Sequence, residues 1–137
     1  MRGEVSSNLP LGEIVDGFVI PPHPRGIELE GKWVMIQPLS AEKFAAELYE
    51  AYQLDPQGNN WTYLPYGPFS TQSEFLNWLR SVEDGTDPVF FAIINKTMRK
   101  AVGVASFLRI NPQDGTIEVG HLNFSPRLQK TTEATEA

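Results

Sequence analysis

The chain has no cysteine, which removes disulfides, thiolate metal ligands and thiol nucleophiles and is compatible with a reducing compartment. Histidine is scarce as well, with only His23 and His121. No His-x-x-x-His pair, acidic calcium loop, Walker motif or serine-centred nucleophile elbow occurs, so metal and nucleotide-hydrolase chemistry have no basis here and no metal is expected. No apolar run reaches the roughly 18 residues that would span a bilayer, and no membrane partner is expected. Residues 1–18 lack a basic start followed by an unbroken apolar stretch and a small-residue cleavage site; a secretory signal is therefore not expected, and a cytoplasmic setting is. Cationic excess is also missing. Eleven Lys and Arg stand against 17 Asp and Glu, for a net charge of -6, which repels phosphate backbones and argues against a nucleic-acid partner.

What is present fits one domain of 137 residues, 41% of them hydrophobic, enough for a single core. Glycines and prolines punctuate residues 1–26, which read as an extended or partly disordered arm, with Phe18, Val19 and Ile20 as its candidate anchors. The domain proper is expected over 27–137. The alternation in IELEGKWVMI predicts a hairpin turning at Glu30 and Gly31. Ser40 as N-cap, followed by Phe44, Leu48 and Tyr52 at four-residue spacing, predicts a helix over 41–53. An aromatic connection, NNWTYLPYGPF, follows, in which two X-Pro steps forbid regular helix. Thr71 to Glu74 has capping-box spacing, and Phe75, Trp78, Leu79 and Val82 form the apolar stripe of a second helix. Three strands then come in succession, over 88–95, 101–110 and 116–124, joined by short polar turns that favour an antiparallel meander. Gly103 and Gly120 mark bulges or close backbone approach. The expected class is α+β, a mixed and mostly antiparallel sheet with helices packed on it, in the order β-β-α-α-β-β-β and then the start of a third helix.

This order, together with GVASFLRI, the turn 111–115 and above all IEVGHLNFSPRLQKTTEATEA, resembles the GNAT N-acetyltransferase superfamily. Within it, the resemblance is to the branch related to ribosomal-protein N-acetyltransferases. It implies acetyl-CoA as co-substrate and an amine acceptor, either a protein N-terminus or a small molecule. It also implies that the backbone of the last strand, at Leu122, Asn123 and Phe124, pairs with the pantetheine arm, while the loop Gln129, Lys130, Thr131, Thr132, Glu133 and Ala134 holds the pyrophosphate at a helix start. The family loop runs Arg or Gln, two residues, Gly, one residue, Gly or Ala. Gln129 and Ala134 match its ends, whereas Thr132 stands at the Gly position and Glu133 adds a negative charge that Lys130 and Arg127 would offset. An ordinary polar helix start reads the same way.

By the same resemblance Glu118 is the candidate general base, a role that suits a carboxylate whose pKa is raised by partial burial; a solvated strand residue is the alternative. His121 is the competing base and is expected to hydrogen-bond locally. Trp61, Tyr63 and Tyr66 are the candidate acceptor-binding residues, or a cover for the sheet edge. The chain stops in the first turns of the third helix without a closing signal, so it is expected to hold the N-terminal half to two-thirds of the fold and to be inactive alone. An open strand edge would then favour a homodimer, and a non-catalytic domain built for self-association or partner binding is the alternative function.

Overall fold

Alternation, caps and turns place the elements close to where the residues demand them. The computed structural model describes residues 10–137, and the part of the arm over 1–9 lies outside the described residues. A hairpin of β1 (Leu29–Glu30) and β2 (Val34–Pro38) leads into α1 (Ala41–Tyr52), a single 3-10 turn (Asn59–Trp61) and α2 (Gln72–Val82). Then come β3 (Val89–Asn95), β4 (Lys100–Asn111), β5 (Thr116–Phe124) and α3 (Thr132–Glu136). The five strands lie in sequence order and every neighbouring pair is antiparallel. Every pairing in the sheet among the described residues is thus antiparallel: short links reverse the chain between β1 and β2, β3 and β4, and β4 and β5, while the long connection through α1 and α2 returns it antiparallel beside β2.

Both long helices are capped as their sequences require. Ser40 Oγ accepts from Lys43 N and Thr71 Oγ1 from Glu74 N, satisfying donors that the first turn leaves orphaned. The capping box at α2 is only half made. The Glu74 carboxylate reaches Ser70, accepting from its N at 3.2 Å and its Oγ at 2.9 Å, one residue before the position a box would use.

The two helices pack on one face of the sheet, where Phe44, Leu48, Phe75 and Leu79 meet Phe90, Ala92 and Val104. Burying each large side chain contributes about 1.5–3 kcal/mol before ordering costs. On the other face Val34, Ile93 and Val102 are covered by Leu128, which has no exposed surface. Gly103 makes that cover fit, since a Cβ there would stand 2.9 Å from Leu128 Cδ2.

The arm over 10–26 forms neither strand nor helix and is almost wholly exposed. Phe18 lies against Gly115 in the β4–β5 turn, His23 Nε2 is 2.8 Å from Thr86 O, and Arg25 approaches Asp84 at 3.5 Å. Of the three expected anchors, Val19 is 80% exposed; the arm is held chiefly by polar contacts farther along.

Candidate functional site

The site region is built from β5 and the segment that follows it. Among the described residues β5 is the last strand of the sheet, and one side of its backbone carries no ladder from them. Its register against β4 shifts between Val104↔Asn123 and Ser106↔Gly120, where Ala105 opposes both His121 and Leu122. His121 absorbs the extra residue with φ 49, a left-handed conformation that costs a side chain with a Cβ about 1 kcal/mol.

Register also fixes which way Glu118 faces. Phe90 pairs with Ser106 and Ser106 with Gly120, and two residues along, Leu108 pairs with Glu118. Glu118 therefore shares the face of Phe90, on which the helices pack. The burial expected of a poised base is not found, because the Glu118 side chain is 48% exposed and lies 3.4 Å from Arg109 Nε. His121 does not bond locally as expected. Its Nδ1 is 3.1 Å from the hydroxyl of Tyr66, 55 residues away, and the two rings stack at 5.8 Å. Burial pushes the Tyr66 phenol up to about 12, so it stays protonated at physiological pH.

Among the three aromatic candidates, Tyr66 is the one that hydrogen-bonds to β5, through His121. Trp61 is 7% exposed and packs against Tyr52, Phe69, Phe75 and Trp78; it belongs to the core, where a large ring contributes most. Tyr63 is 98% exposed. A cavity of about 270 Å³ does open beside the connection, between Tyr49, Asp55, Trp61, Phe69 and Phe75.

The three β5 candidates differ among themselves. Leu122 is 49% exposed. Asn123 is 4% exposed, and its carbonyl accepts the Tyr52 hydroxyl at 2.6 Å. Its side-chain amide has no partner at either end. Burial is also what raises the Tyr52 pKa. The Phe124 carbonyl accepts from Asn60 Nδ2 at 3.0 Å and from Gln129 Nε2 at 2.7 Å. Asn123 and Phe124 are thus engaged within the chain, and Leu122 is the residue of the three that faces open solvent.

After β5 the chain tightens. Leu128 N and Gln129 N both donate to Ser125 O, Lys130 turns left-handed at φ 59, and Thr131 is the N-cap of α3. Thr131 Oγ1 accepts from Ala134 N at 3.1 Å. Among the described residues the N–H groups of Lys130, Thr131, Thr132 and Glu133 meet no acceptor, leaving a row of donors able to hold an anion. Lys130 is exposed beside them. Arg127 does not offset Glu133 as expected, because its Nη2 is held 2.6 Å from Glu50 Oε1. That hydrogen bond and the charges of Lys100 and Arg127 lower the Glu50 pKa.

One feature of this region had no signal in the sequence. The Glu136 carboxylate accepts from Lys32 N at 2.6 Å, Trp33 N at 2.5 Å and Val34 N at 2.8 Å, clipping α3 to the β1–β2 turn. Desolvation raises the Glu136 pKa, but the donors of Trp33, Lys32 and Val34, together with Lys96, outweigh it and the net shift is downward. Gly31 leaves room for that carboxylate, since a Cβ there would lie 2.5 Å from Glu136 Cδ. Among the described residues, no cluster of His, Asp or Glu could hold a metal ion, and no helix is long and apolar enough to cross a membrane.

No family model matches the chain, and a search of curated proteins finds no match. Solved structures do match. The chain is similar to a GCN5-related N-acetyltransferase from Brucella melitensis, at 33% identity and TM-score 0.83, over 89% of this chain and 55% of that one. It is also similar to a GNAT-family acetyltransferase from Chromobacterium violaceum, at 30% identity and TM-score 0.81, over 93% of this chain and 64% of that one. A ribosomal-protein-serine acetyltransferase structure from Vibrio cholerae shares the fold alone, at 13% identity and TM-score 0.61, over 80% of this chain and 61% of that one. The chain thus spans between 55% and 64% of the length of these structures.

Proposed function

The chain has the GNAT superfamily fold, and on that premise we propose that it serves acetyl transfer from acetyl-CoA to an amine, in the cytoplasm. The observation that carries this reading is the row of free N–H groups at Lys130, Thr131, Thr132 and Glu133, placed directly after a bulged edge strand. Such donors fit a pyrophosphate, and Lys130 adds a cation. Thr132 and Glu133 fit it less well, one for want of glycine's freedom and the other for its charge. Acetyl-CoA supplies the activated thioester. Leu122, at the bulge, offers the open backbone edge to the pantetheine arm, and the loop Gln129–Ala134 fixes the phosphates. Glu118 takes the proton that the acceptor amine sheds on attacking the acetyl carbon, while the carbon–sulfur bond breaks and the thiolate leaves. Tyr66, held by His121, presents the acceptor side, and Trp61 supports Tyr66 from the core rather than touching the acceptor. Protein N-termini and small amines are both admitted by this arrangement.

The test is a titration of the isotope-labelled chain with coenzyme A, followed through its backbone amide resonances. Saturable shifts centred on Lys130 to Glu133 are expected, with affinity in the high micromolar to millimolar range, on the order of what one anion subsite supplies. Shifts scattered over the surface, or none, would remove the reading. A second reading has its own support. β5 leaves Ile117, Val119 and Leu122 48%, 60% and 49% exposed along an unpaired edge, a surface suited to a second copy. Light scattering at tens of micromolar, on the order of concentrations where exposed edges associate, separates the two: a dimer that coenzyme A leaves unchanged favours association as a role in itself.

A further inference from the structure

Asn60 lies in the 3-10 turn after α1, far in sequence from the loop that follows β5, yet its side chain closes a three-cornered hydrogen-bond knot with that loop. Asn60 Nδ2 donates to Phe124 O at 3.0 Å. Gln129 Nε2 donates to the same carbonyl at 2.7 Å and to Asn60 Oδ1 at 2.8 Å. Donors and acceptors match at every corner, which fixes the orientation of both amides without an arbitrary choice. Asn60 is itself fixed, since its backbone N donates to Asp55 Oδ2 at 2.8 Å, and Asp55 follows the end of α1. The chain Asp55, Asn60, Gln129, Phe124 therefore joins the end of α1 to the last residue of β5 and the first residue of the proposed phosphate loop. A shelf-like cavity of about 350 Å³ opens beside it, bordered by Asp55, Gln57, Asn59, Pro126 and Gln129.

Resting on the reading above, we infer that Asn60 is a positioning residue for the loop Gln129–Ala134. It turns the Gln129 side chain inward, onto the Phe124 carbonyl, so that Gln129 acts as a strut and the free N–H row of Lys130 to Glu133 is held at a constant distance from β5. Without the knot, the Phe124 carbonyl and the Gln129 amide would compete for water and the loop would sample several positions, lowering the fraction competent for an anion.

The experiment compares the wild-type chain with Asn60→Ala, Gln129→Ala, the double variant and Tyr63→Ala as a control from the same connection. Two quantities are read: hydrogen exchange of the bonded loop amides of Leu128, Gln129 and Ala134, and the affinity of the folded protein for coenzyme A from amide shifts. Asn60→Ala and Gln129→Ala should each speed loop exchange by about tenfold and weaken coenzyme A by a similar factor, while the double variant goes no further than either single, because one knot is lost once. Tyr63→Ala should change neither. Fully additive effects, or loop exchange unchanged in Asn60→Ala, would overturn the inference. So would a fall in melting temperature with coenzyme A affinity intact, which is what a purely structural asparagine would give. If wild-type protein shows no shifts with coenzyme A, the proposed function fails, and the exchange data still decide whether Asn60 holds the loop.

Discussion

The two halves of the molecule obey different rules. Around α1, α2 and their connection, the helix starts are capped, Trp61 meets Phe69 and Trp78 edge to face, and among the described residues no buried side-chain polar atom lacks a partner. From β4 to α3 the helix start is capped as well, but strained and unsatisfied groups gather. Among the described residues, three of the four non-glycine residues with positive φ, Arg109, His121 and Lys130, lie there, as do all the unpartnered buried side-chain atoms, on Asn123, Ser125 and Arg127. A fold can hold strained and unsatisfied groups only where the rest over-determines them, and such groups concentrate where backbone must stay available for a ligand. The first half supplies the stability that lets the second depart from the usual rules.

That division can be broken or sharpened by substitution. The largest effect is expected from Trp61→Ala, which empties the centre of the aromatic cluster and should cost about 3–5 kcal/mol in urea unfolding; a loss below about 1 kcal/mol would mean that this half isn't the stabilising one. Next comes Glu118→Gln, which should lower kcat about 10²-fold in any preparation that transfers acetyl, with little change in coenzyme A affinity. A change within twofold would make Glu118 a solvated strand residue and leave His121 as the better base. Tyr52→Phe removes the 2.6 Å hydrogen bond that crosses between the halves to Asn123 O and should cost about 1 kcal/mol, with faster amide exchange near the bulge and not in α2.

The smallest effect concerns acid. Glu136 and Glu50 both have pKa values lowered from 4.5 in the folded chain. Their contribution is therefore present above about pH 4.5 and fades as pH falls through the lowered folded values, when the carboxylates take up protons and release Lys32, Trp33 and Val34 on one side and Arg127 on the other. Amide resonances of the β1–β2 turn should report this release. Glu136→Gln should abolish the pH dependence at the turn and leave that around Arg127 in place.

Much of this was legible in the residues. The five strands, two long helices and the Ser40 and Thr71 caps follow from local alternation, four-residue spacing and side-chain oxygens that reach a nearby N–H, all of which operate within a few residues. The strand, loop and helix start at 116–137 were legible for the same reason. The roles of individual side chains were not. Trp61, Tyr63 and Tyr66 are near neighbours of one chemical kind, yet one is core, one is solvent-facing and one meets His121, because a connection without regular periodicity doesn't disclose which way each ring turns.

The residues by themselves determined the order of elements, the antiparallel links and the place where a strand would run into a donor-rich turn, since each depends on short-range sterics and hydrogen bonding. Only the tertiary structure decided that Glu118 would be half exposed beside Arg109, that Glu136 would clip α3 to a turn about a hundred residues earlier, and that Asn60 would knot with Gln129 and Phe124. The Arg109 contact is set by the register of the β4–β5 hairpin, and the Glu136 and Asn60 contacts join segments far apart along the chain that meet only once the helices and sheet have packed.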